Sequence, residues 1–246
     1  MSVVAIIQAR IGSSRLPEKS IRDLHGKPML SYIIEFLKFC KQCDKIIVAT
    51  SNLKQDDKIE SICNNLNVDC FRGDHDNVLS RYYFCAKQNN ATIVVRITAD
   101  DPLIDPELLD NSILICKNTN CDYVTNMLHH TFPYGMPIEV IKFDVLEENY
   151  NQFRNDPLVA EHVTYHIRKN PQNYNIQEVF APAGYERKDW RVTVDYIEDF
   201  ELIEKIFTKL YRPGSFIKYV SLVEFLDNHN DLLKINSKYL PTEYLY

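Results

Sequence analysis

The sequence predicts an α/β protein built on a mostly parallel, doubly wound β-sheet. Short apolar runs rich in β-branched residues, such as Val3–Ile7 and Thr92–Thr98, have the length and composition of buried strands. The segments between such runs carry apolar residues at helical spacing, as Met29–Leu37 does. This alternation of strand and helix is typical of a parallel sheet that is covered by helices on both faces.

The first half of the chain alternates strictly between strand and helix. Its strands are predicted at Val3–Ile7, Lys45–Thr50, Val68–Phe71 and Thr92–Thr98. Pro28 suits the first turn of the first helix. Asp105–Glu107 has the cap, the Pro and the acidic residue that are typical of a helix start.

From Cys121 onward the pattern changes. Strands are predicted at Asp122–Asn126, Met136–Ile141, Ile176–Phe180 and Trp190–Val194, and helices at Leu158–Lys169, Ile197–Leu210 and Ser221–Leu226. An aromatic loop that contains histidines, Met127–Gly135, joins the first two of these strands. We expect residues 121–143 to form a β-arm on a single domain of residues 1–246, because we find no linker or internal repeat. Aromatic residues are enriched at interfaces, so this loop is a candidate dimer contact.

Composition limits the possible function classes. The chain has 246 residues, of which 45% are hydrophobic and 25% are charged, and its net charge is −6. These values are ordinary for a globular protein and argue against nucleic-acid partners. No apolar stretch approaches the length of a membrane span, and the N-terminus does not have the pattern of a signal peptide. The seven cysteines are an odd number, so we expect reduced thiols and a cytoplasmic location.

The segment Arg10–Lys19 brings cations and hydroxyl groups together directly after the first strand. Its polar side chains include those of Arg10, Ser13, Ser14, Arg15 and Lys19. In an open α/β sheet ligands bind beyond the carboxyl ends of the strands, and such groups there suit a triphosphate. The loop is not a Walker motif, because Glu18 stands where that motif has Gly before the Lys. The alternative is an exposed basic loop without a ligand.

Two aspartates stand where predicted strands end. Asp100 follows the fourth strand, and Asp195 follows the last one. If the strands are parallel, both carboxylates face the basic loop, and a Mg²⁺ ion between carboxylate and phosphate explains this placement. The alternative for each aspartate is a helix cap, which we favour for Asp101 and Asp105.

Two other patterns are possible zinc sites. Cys40–Cys43 is a lone CxxC, and His162 and His166 lie four residues apart on a predicted helix. Neither pattern has further ligands at the spacing that a zinc site needs. We therefore expect the cysteines and His166 to be packing residues.

Four segments, taken in order, resemble the cytidylyltransferase family that activates acidic sugars, which includes the CMP-KDO and CMP-sialic acid synthetases. They are Ile7–Lys19, Phe71–Arg81, Arg96–Pro106 and Trp190–Asp199. The branch named for the spore-coat polysaccharide protein SpsF is the most similar. Glu18 and Ala99 stand where the family usually has Gly, and Tyr196–Ile197 stands where it usually has Thr-Pro.

The resemblance implies a Rossmann-like, GT-A-like nucleotidyltransferase domain and a Mg²⁺-dependent reaction. CTP would be the donor, and CMP would pass to a sugar or a small phosphorylated acceptor with release of pyrophosphate. Such a reaction would belong to surface-polysaccharide or glycan precursor synthesis. Similar enzymes use the arm in a two-fold dimer, so the resemblance also implies a homodimer.

The resemblance further implies roles for individual residues. The catalytic residues would be Arg10, Lys19 and Asp100, and the metal ligands would be Asp100 and Asp195. The nucleotide would contact Ala9, Arg10, Gly12, Ser13, Ser14, Arg15, Lys19, Thr50, Gly73, Asp76, Arg81, Thr98 and Ala99. The acceptor would contact Asn126, Tyr134, Gly135, Glu139 and His162.

Two other functions stay open at the level of sequence. A nucleotide-sugar glycosyltransferase has a similar sheet, and Asp100 and Asp101 resemble its metal motif, but the cationic loop suits a free triphosphate better. A non-catalytic nucleotide-binding partner is the other alternative, and the three departures from the family pattern keep it open. The residues do not identify the acceptor, and they do not exclude a purine nucleotide as donor.

Overall fold

The computed structural model describes residues 1–13 and 15–240, so Ser14, which was predicted to bind nucleotide, lies outside the described residues. The strands in this part of the chain are β1 (Val3–Gln8), β2 (Asp23–Leu24), β3 (Lys27–Pro28), β4 (Lys45–Ser51), β5 (Asp69–Gly73), β6 (Ile93–Thr98), β7 (Tyr123–Thr125), β8 (Glu139–Lys142) and β9 (Ile176–Glu178). The α-helices are α1 (Met29–Leu37), α2 (Asp57–Asn65), α3 (Val78–Gln88), α4 (Pro106–Thr119), α5 (Phe143–Phe153), α6 (Pro157–Glu161), α7 (Tyr165–Lys169), α8 (Ile197–Leu210) and α9 (Tyr219–Asp227).

Seven of the strands form one sheet in the order β5-β4-β1-β6-β8-β7-β9. Strands β5, β4, β1 and β6 are mutually parallel, β8 runs antiparallel to both of its neighbours, and β7 is parallel to β9. Strands β2 and β3 form a separate hairpin. This is the mostly parallel α/β sheet that the sequence predicts.

The core consists of two apolar layers, one on each face of the sheet. Alternate residues of β1 point to opposite faces: Val3, Ala5 and Ile7 belong to one layer, and Val4 and Ile6 to the other. Helices α1, α2, α4, α8 and α9 contribute to the first layer, and α3, α5 and α7 to the second. The five β1 residues are fully buried, so the loop that follows them begins from a rigid central strand.

The predicted β-arm differs from what the structure shows. Both of its strands, β7 and β8, belong to the main sheet, and β8 lies between β6 and β7. The aromatic loop between them folds back on the same domain: Phe132 is buried, and its ring centroid lies 4.9 Å from that of Tyr219 in α9. A role of this loop in dimerisation stays a prediction.

Two predicted elements are wrong in detail. The helix expected over Leu158–Lys169 is divided into α6 and α7, because Asn149 Nδ2 donates to the Val163 carbonyl (2.6 Å) and the Thr164 hydroxyl donates to Glu139. The strand expected over Trp190–Val194 is, within the described residues, only a single bridge to Tyr134, because this segment bonds to loops rather than to a strand.

None of the helices in the described part of the chain is both long and apolar enough to cross a membrane.

Candidate functional site

The loop after β1 is fixed at its start by a buried carboxylate. Asp56 is fully buried, and its Oδ1 accepts the backbone N–H of Ile11 at 2.8 Å. Its other oxygen accepts the hydroxyl of Ser51, the last residue of β4. The loop is therefore tied to the carboxyl end of the neighbouring strand, where an α/β sheet binds its ligands.

Glu18 has the left-handed backbone conformation that Gly adopts most easily. Its φ is 58°, and its carboxylate lies 2.5 Å from Lys58 Nζ in α2. A non-Gly residue in this region costs about 1–2 kcal/mol. Glu18 therefore adopts the backbone conformation of the usual Gly, and it does so at an energetic cost.

Lys19 lies between the two predicted metal ligands. Its Nζ is 2.9 Å from Asp100 Oδ2 and 2.9 Å from Asp195 Oδ1, and it also donates to the carbonyl of Val194 at 2.9 Å. Burial opposes charge on both partners, but their mutual attraction is stronger. It raises the pKa of Lys19 and lowers the pKa of Asp100, so both groups are charged at neutral pH.

The carboxylate of Asp195 forms ion pairs with three cationic side chains. Arg15 Nη2 lies 2.8 Å from its Oδ1, which also binds Lys19, and Arg191 Nη2 lies 3.0 Å from its Oδ2. Arg191 also pairs with the buried Asp199 at 2.8 Å. The side chain of Asp195 is only 6% exposed, so its orientation is set by these guanidinium groups rather than by solvent.

Two cavities meet at this cluster. The loop cavity, about 190 Å³, is lined by the residues after β1, including Ala9, Arg10, Gly12, Ser13 and Lys19. The inner cavity, about 220 Å³, is lined by the aromatic loop and by the ends of β1 and β6. Gln8, Arg15, Asp100 and Glu161 line both cavities. The two cavities therefore adjoin at Asp100.

The inner cavity needs glycine at position 135. Gly135 has φ 103°, and a Cβ built on it would lie 2.3 Å from the backbone N of Thr193. The aromatic loop packs this closely because the N–H of Tyr134 donates to the Trp190 carbonyl, and the N–H of Val192 donates to that of Tyr134. Only glycine satisfies both constraints.

Three other predicted acceptor-binding residues line the inner cavity. They are Asn126, Tyr134 and His162. Asn126 also closes the loop, since its side chain donates to the Met136 carbonyl and accepts the N–H of Ile138, both at 2.8 Å. Burial and the nearby guanidinium of Arg96 lower the pKa of His162, so its imidazole is neutral at pH 7.

Glu139, which was predicted to bind the acceptor, is fully buried and is a structural residue instead. One of its oxygens pairs with Arg96 Nη1, and the other accepts the hydroxyls of Tyr123 and Thr164. Arg96 also donates to Gln8 Oε1 at 3.1 Å and lines the inner cavity. Glu139 therefore presents a guanidinium group to the cavity rather than its own carboxylate.

We expect Glu139→Gln to destabilise the protein by about 3–5 kcal/mol, because it leaves the charge of Arg96 buried without its partner. Burial opposes the charge on Glu139, but Arg96 outweighs it and holds the pKa below the ordinary 4.5. A lowered folded-state pKa adds stability above pH 4.5, and this stability is lost as the pH falls through the folded value. Urea unfolding of the wild type and of Glu139→Gln, from neutral pH to below pH 4.5, would measure the loss of stability. An equal free energy of unfolding at neutral pH would contradict the assignment.

Four predicted nucleotide-binding residues line neither of the two cavities within the described structure: Thr50, Gly73, Asp76 and Arg81. Arg81 is buried, and its Nη1 donates to the carbonyls of Asp74 and His75 at 2.6 and 2.9 Å, so it holds a turn. Thr50 is buried at the end of β4, and Asp76 is exposed. Thr98 lines the inner cavity rather than the loop cavity, whereas Ala99 lines the loop cavity.

The two aspartates that we read as helix caps differ. Asp105 caps α4, since its Oδ1 accepts the N–H groups of Glu107 and Leu108, and this prediction is confirmed. Asp101 is not a cap: it accepts the hydroxyl of Thr98 and lines the inner cavity. Burial and the neighbouring Asp100 raise the pKa of Asp101 to about 7.

The sequence interpretation missed three polar residues of the site, which are Gln8, Arg96 and Glu161. Glu161 Oε1 lies 3.2 Å from Arg10 Nη2 and so links α6 to the loop. A signal for Arg96 was present, because an arginine inside an apolar strand needs a buried acidic partner. Nothing in the sequence identified that partner as Glu139.

The donor groups fit a magnesium ion that is shared with a phosphate ligand. Among the described residues there is no cluster of three or more Asp, Glu, His or Cys side chains that could hold a metal. Asp100 and Asp195 nevertheless each place one carboxylate oxygen against Lys19 Nζ. Mg²⁺ typically binds one or two carboxylates together with phosphate oxygens. In the two patterns that were considered for zinc, the ring of His166 stacks on Phe153 with centroids 3.7 Å apart, and Cys40 Sγ donates to Asp110 Oδ1 at 2.9 Å.

Comparison with known proteins places these features in one family. The model of the family described as cytidylyltransferase matches residues 4–225. The spore coat polysaccharide biosynthesis protein SpsF of Bacillus subtilis is 32% identical over 211 residues, which are 84% of this chain and 87% of that protein.

Solved structures show the same fold. A cytidylyltransferase of Leptospira borgpetersenii superimposes with a TM-score of 0.89 and 31% identity, over 100% of this chain and 99% of that one. A CMP:2-keto-3-deoxy-manno-octonic acid synthetase complexed with CTP superimposes with a TM-score of 0.65 and 19% identity, over 85% of this chain and 99% of that one.

Proposed function

Since the chain belongs to the cytidylyltransferase family and is a nucleotidyltransferase, we propose that it transfers CMP from CTP to a sugar acceptor, with Mg²⁺ as cofactor and pyrophosphate as the second product. The observation that carries the proposal is the position of Lys19. Its ammonium group joins Asp100 and Asp195 where the loop cavity meets the inner cavity. A triphosphate in the loop cavity would place its α-phosphate beside an acceptor in the inner cavity.

The loop residues supply the positive charge that this reaction needs. Arg10, Arg15 and Lys19 would bind the triphosphate, and Ser13 would donate a hydroxyl hydrogen bond. Asp100 and Asp195 would hold Mg²⁺, which would supply charge neutralisation at the α-phosphate. Catalysis by these groups would consist of positioning and electrostatic stabilisation.

The bond changes are those of a displacement at phosphorus. An oxygen of the acceptor forms a bond to the α-phosphorus of CTP, and a proton carried by that oxygen passes to water. The bond from the α-phosphorus to the bridging oxygen of pyrophosphate breaks. The two cavities meet at Asp100, which suits an acceptor held on one side of the α-phosphate and pyrophosphate on the other. Arg10, Arg15 and Lys19 would then stabilise the charge that develops on the leaving pyrophosphate.

The inner cavity has the lining of a sugar site. Asn126, Tyr134 and His162 offer polar groups, whereas Pro133 and Met136 form an apolar wall. Because the relative SpsF is named for polysaccharide synthesis, we place the acceptor among surface-polysaccharide or glycan precursors. We also propose a cytoplasmic homodimer, since nucleoside triphosphates are cytoplasmic and the resemblance implies a dimer.

The first test is a thermal-shift screen of CTP, UTP, GTP and ATP, with and without Mg²⁺. Ligand binding raises stability by RT ln(1 + [L]/Kd), so the preferred nucleotide gives the largest shift. We expect a shift with CTP that grows with Mg²⁺, followed by pyrophosphate release when acidic sugars are supplied. Equal shifts for all four nucleotides would contradict CTP as donor. Release of a nucleoside diphosphate from a nucleotide-sugar would instead favour the glycosyltransferase alternative, and binding without any turnover would favour the non-catalytic one.

A further inference from the structure

The segment 228–240, here called the tail segment, packs against the residues that hold Asp195. It follows α9 and lies beyond residues 4–225, which the family model matches. It contains the short turns Leu232–Lys234 and Ser237–Tyr239. Three of its side chains reach the start of α8, and they are Asn236, Lys238 and Tyr239.

Asn236 makes two buried hydrogen bonds to this region. The residue is 1% exposed, and its Nδ2 donates to Asp199 Oδ1 at 2.8 Å and to the Arg191 carbonyl at 3.0 Å. A buried amide with two such acceptors is a specific contact rather than general packing.

Asp199 transmits this contact to Asp195 by two routes. Its Oδ2 accepts the backbone N–H of Asp195 at 2.9 Å. It also binds the guanidinium of Arg191, which in turn lies 3.0 Å from Asp195 Oδ2. Asp199 therefore contacts the backbone of Asp195 directly and its side chain through Arg191, and Asn236 donates a hydrogen bond to Asp199.

Tyr239 makes the second contact. Its ring stacks on Tyr196 with centroids 3.8 Å apart and an interplanar angle of 6°, and its hydroxyl donates to Glu198 at 3.1 Å. The guanidinium of Arg15 lies 5.6 Å from the Tyr196 ring. Tyr196 stands where the family usually has Thr, so the departure at this position has its packing partner in the tail segment.

From these contacts we propose that the tail segment is a positioning element of the active site. Asn236 and Tyr239 act through Asp199 and Tyr196 to fix the carboxylate of Asp195 and the guanidinium of Arg15, the two groups that meet the phosphates and the metal. This inference rests on the proposed function, because it assigns the tail segment a part in the same site.

The test compares Asn236→Ala and Tyr239→Ala with two matched controls from the same segment. Lys234→Ala and Ser237→Ala each remove an exposed side chain of the tail segment, and the Ser237 hydroxyl donates back to the Lys234 carbonyl at 3.2 Å. The readouts are the thermal shift produced by CTP at increasing Mg²⁺, and kcat and KM separately. We expect the first two variants to need about tenfold more Mg²⁺ for the same CTP shift and to lose about tenfold in kcat, because Asn236→Ala loses a buried contact to a charged group and Tyr239→Ala loses a stacked aromatic pair. Both controls are expected to stay within about twofold of the wild type, because exposed substitutions away from the site have small effects.

The outcomes separate this inference from the proposed function. Wild-type CTP binding together with unchanged Mg²⁺ dependence and kcat in both Asn236→Ala and Tyr239→Ala would overturn the inference alone, even if their melting temperatures fall. A wild-type protein that does not bind CTP would overturn the proposed function, and the inference with it. If Asn236→Ala does not fold, Tyr239→Ala decides, because Tyr239 is only partly buried.

Discussion

Asp100→Asn is expected to lower kcat by about 10³-fold while leaving the fold intact, since removing one electrostatic stabiliser of a transition state costs up to this much. The substitution keeps the size of the side chain and removes its charge. Because Lys19 holds the pKa of Asp100 below its ordinary value, the carboxylate is charged at neutral pH, so a real charge is lost. Lys19 keeps Asp195 as a partner, and the loop stays anchored through Asp56.

The matched control for this variant is Asp144→Asn, the same chemical change at an exposed position in the first turn of α5. Steady-state kinetics with CTP and an acceptor would measure the effect, and thermal unfolding would check the fold. Retention of more than about a tenth of the wild-type kcat in Asp100→Asn would refute its assignment as a metal ligand, since one lost charge-assisted contact alone costs that much.

Lys19→Met is expected to lower kcat/KM for CTP by about 10²–10³-fold, because in the proposed function it removes the cation that would bind the triphosphate and neutralise the leaving pyrophosphate. KM for CTP should rise as well as kcat fall, since the charge acts on bound substrate and on the transition state alike. Asp195 retains Arg15 and Arg191 as partners in this variant, so the site does not collapse through loss of one cation.

Lys58→Met tests whether any lysine near the loop would give the same result. Lys58 pairs with Glu18 at the outer side of the loop, and its side chain is 62% exposed. We expect a change within about twofold in kcat/KM for Lys58→Met, because exposed ion pairs contribute little. If the two methionine variants lose CTP binding equally, the assignment of Lys19 to the phosphates is wrong.

The local sequence pattern was sufficient to place those site residues that directly follow a strand. The loop after β1 and the aspartate after β6 could be placed because each directly follows a run of buried residues, and parallel strands end at one edge. The cap at Asp105 followed from its neighbours in the same way. In each case, sequence order and strand direction together determine the position.

Contacts between distant segments could not be predicted from the sequence. Strand β8 lies antiparallel between β6 and β7, and this placement brings Glu139 beside Arg96 on the neighbouring strand. No local sequence pattern predicts that pairing. For the same reason the interpretation assigned Glu139 to the acceptor and overlooked Arg96. The contact of Asn236 with Asp199 joins residues 37 positions apart, and it too is determined only by the three-dimensional arrangement.

The ion pairs of Lys19 have a consequence for which anions the loop would select. The ammonium group already has two carboxylates of the protein as counterions, so an incoming phosphate has to exchange with them rather than bind to a free charge. The net free energy of binding is the difference between the ion pairs that Lys19 forms with the phosphate and those that it loses with the two carboxylates. This difference becomes more favourable as the charge of the phosphate ligand increases. Inorganic phosphate or a nucleoside monophosphate would displace the two carboxylates poorly, whereas a triphosphate carries enough charge to displace them. The site would thus discriminate by charge against the proposed product, CMP attached to a sugar.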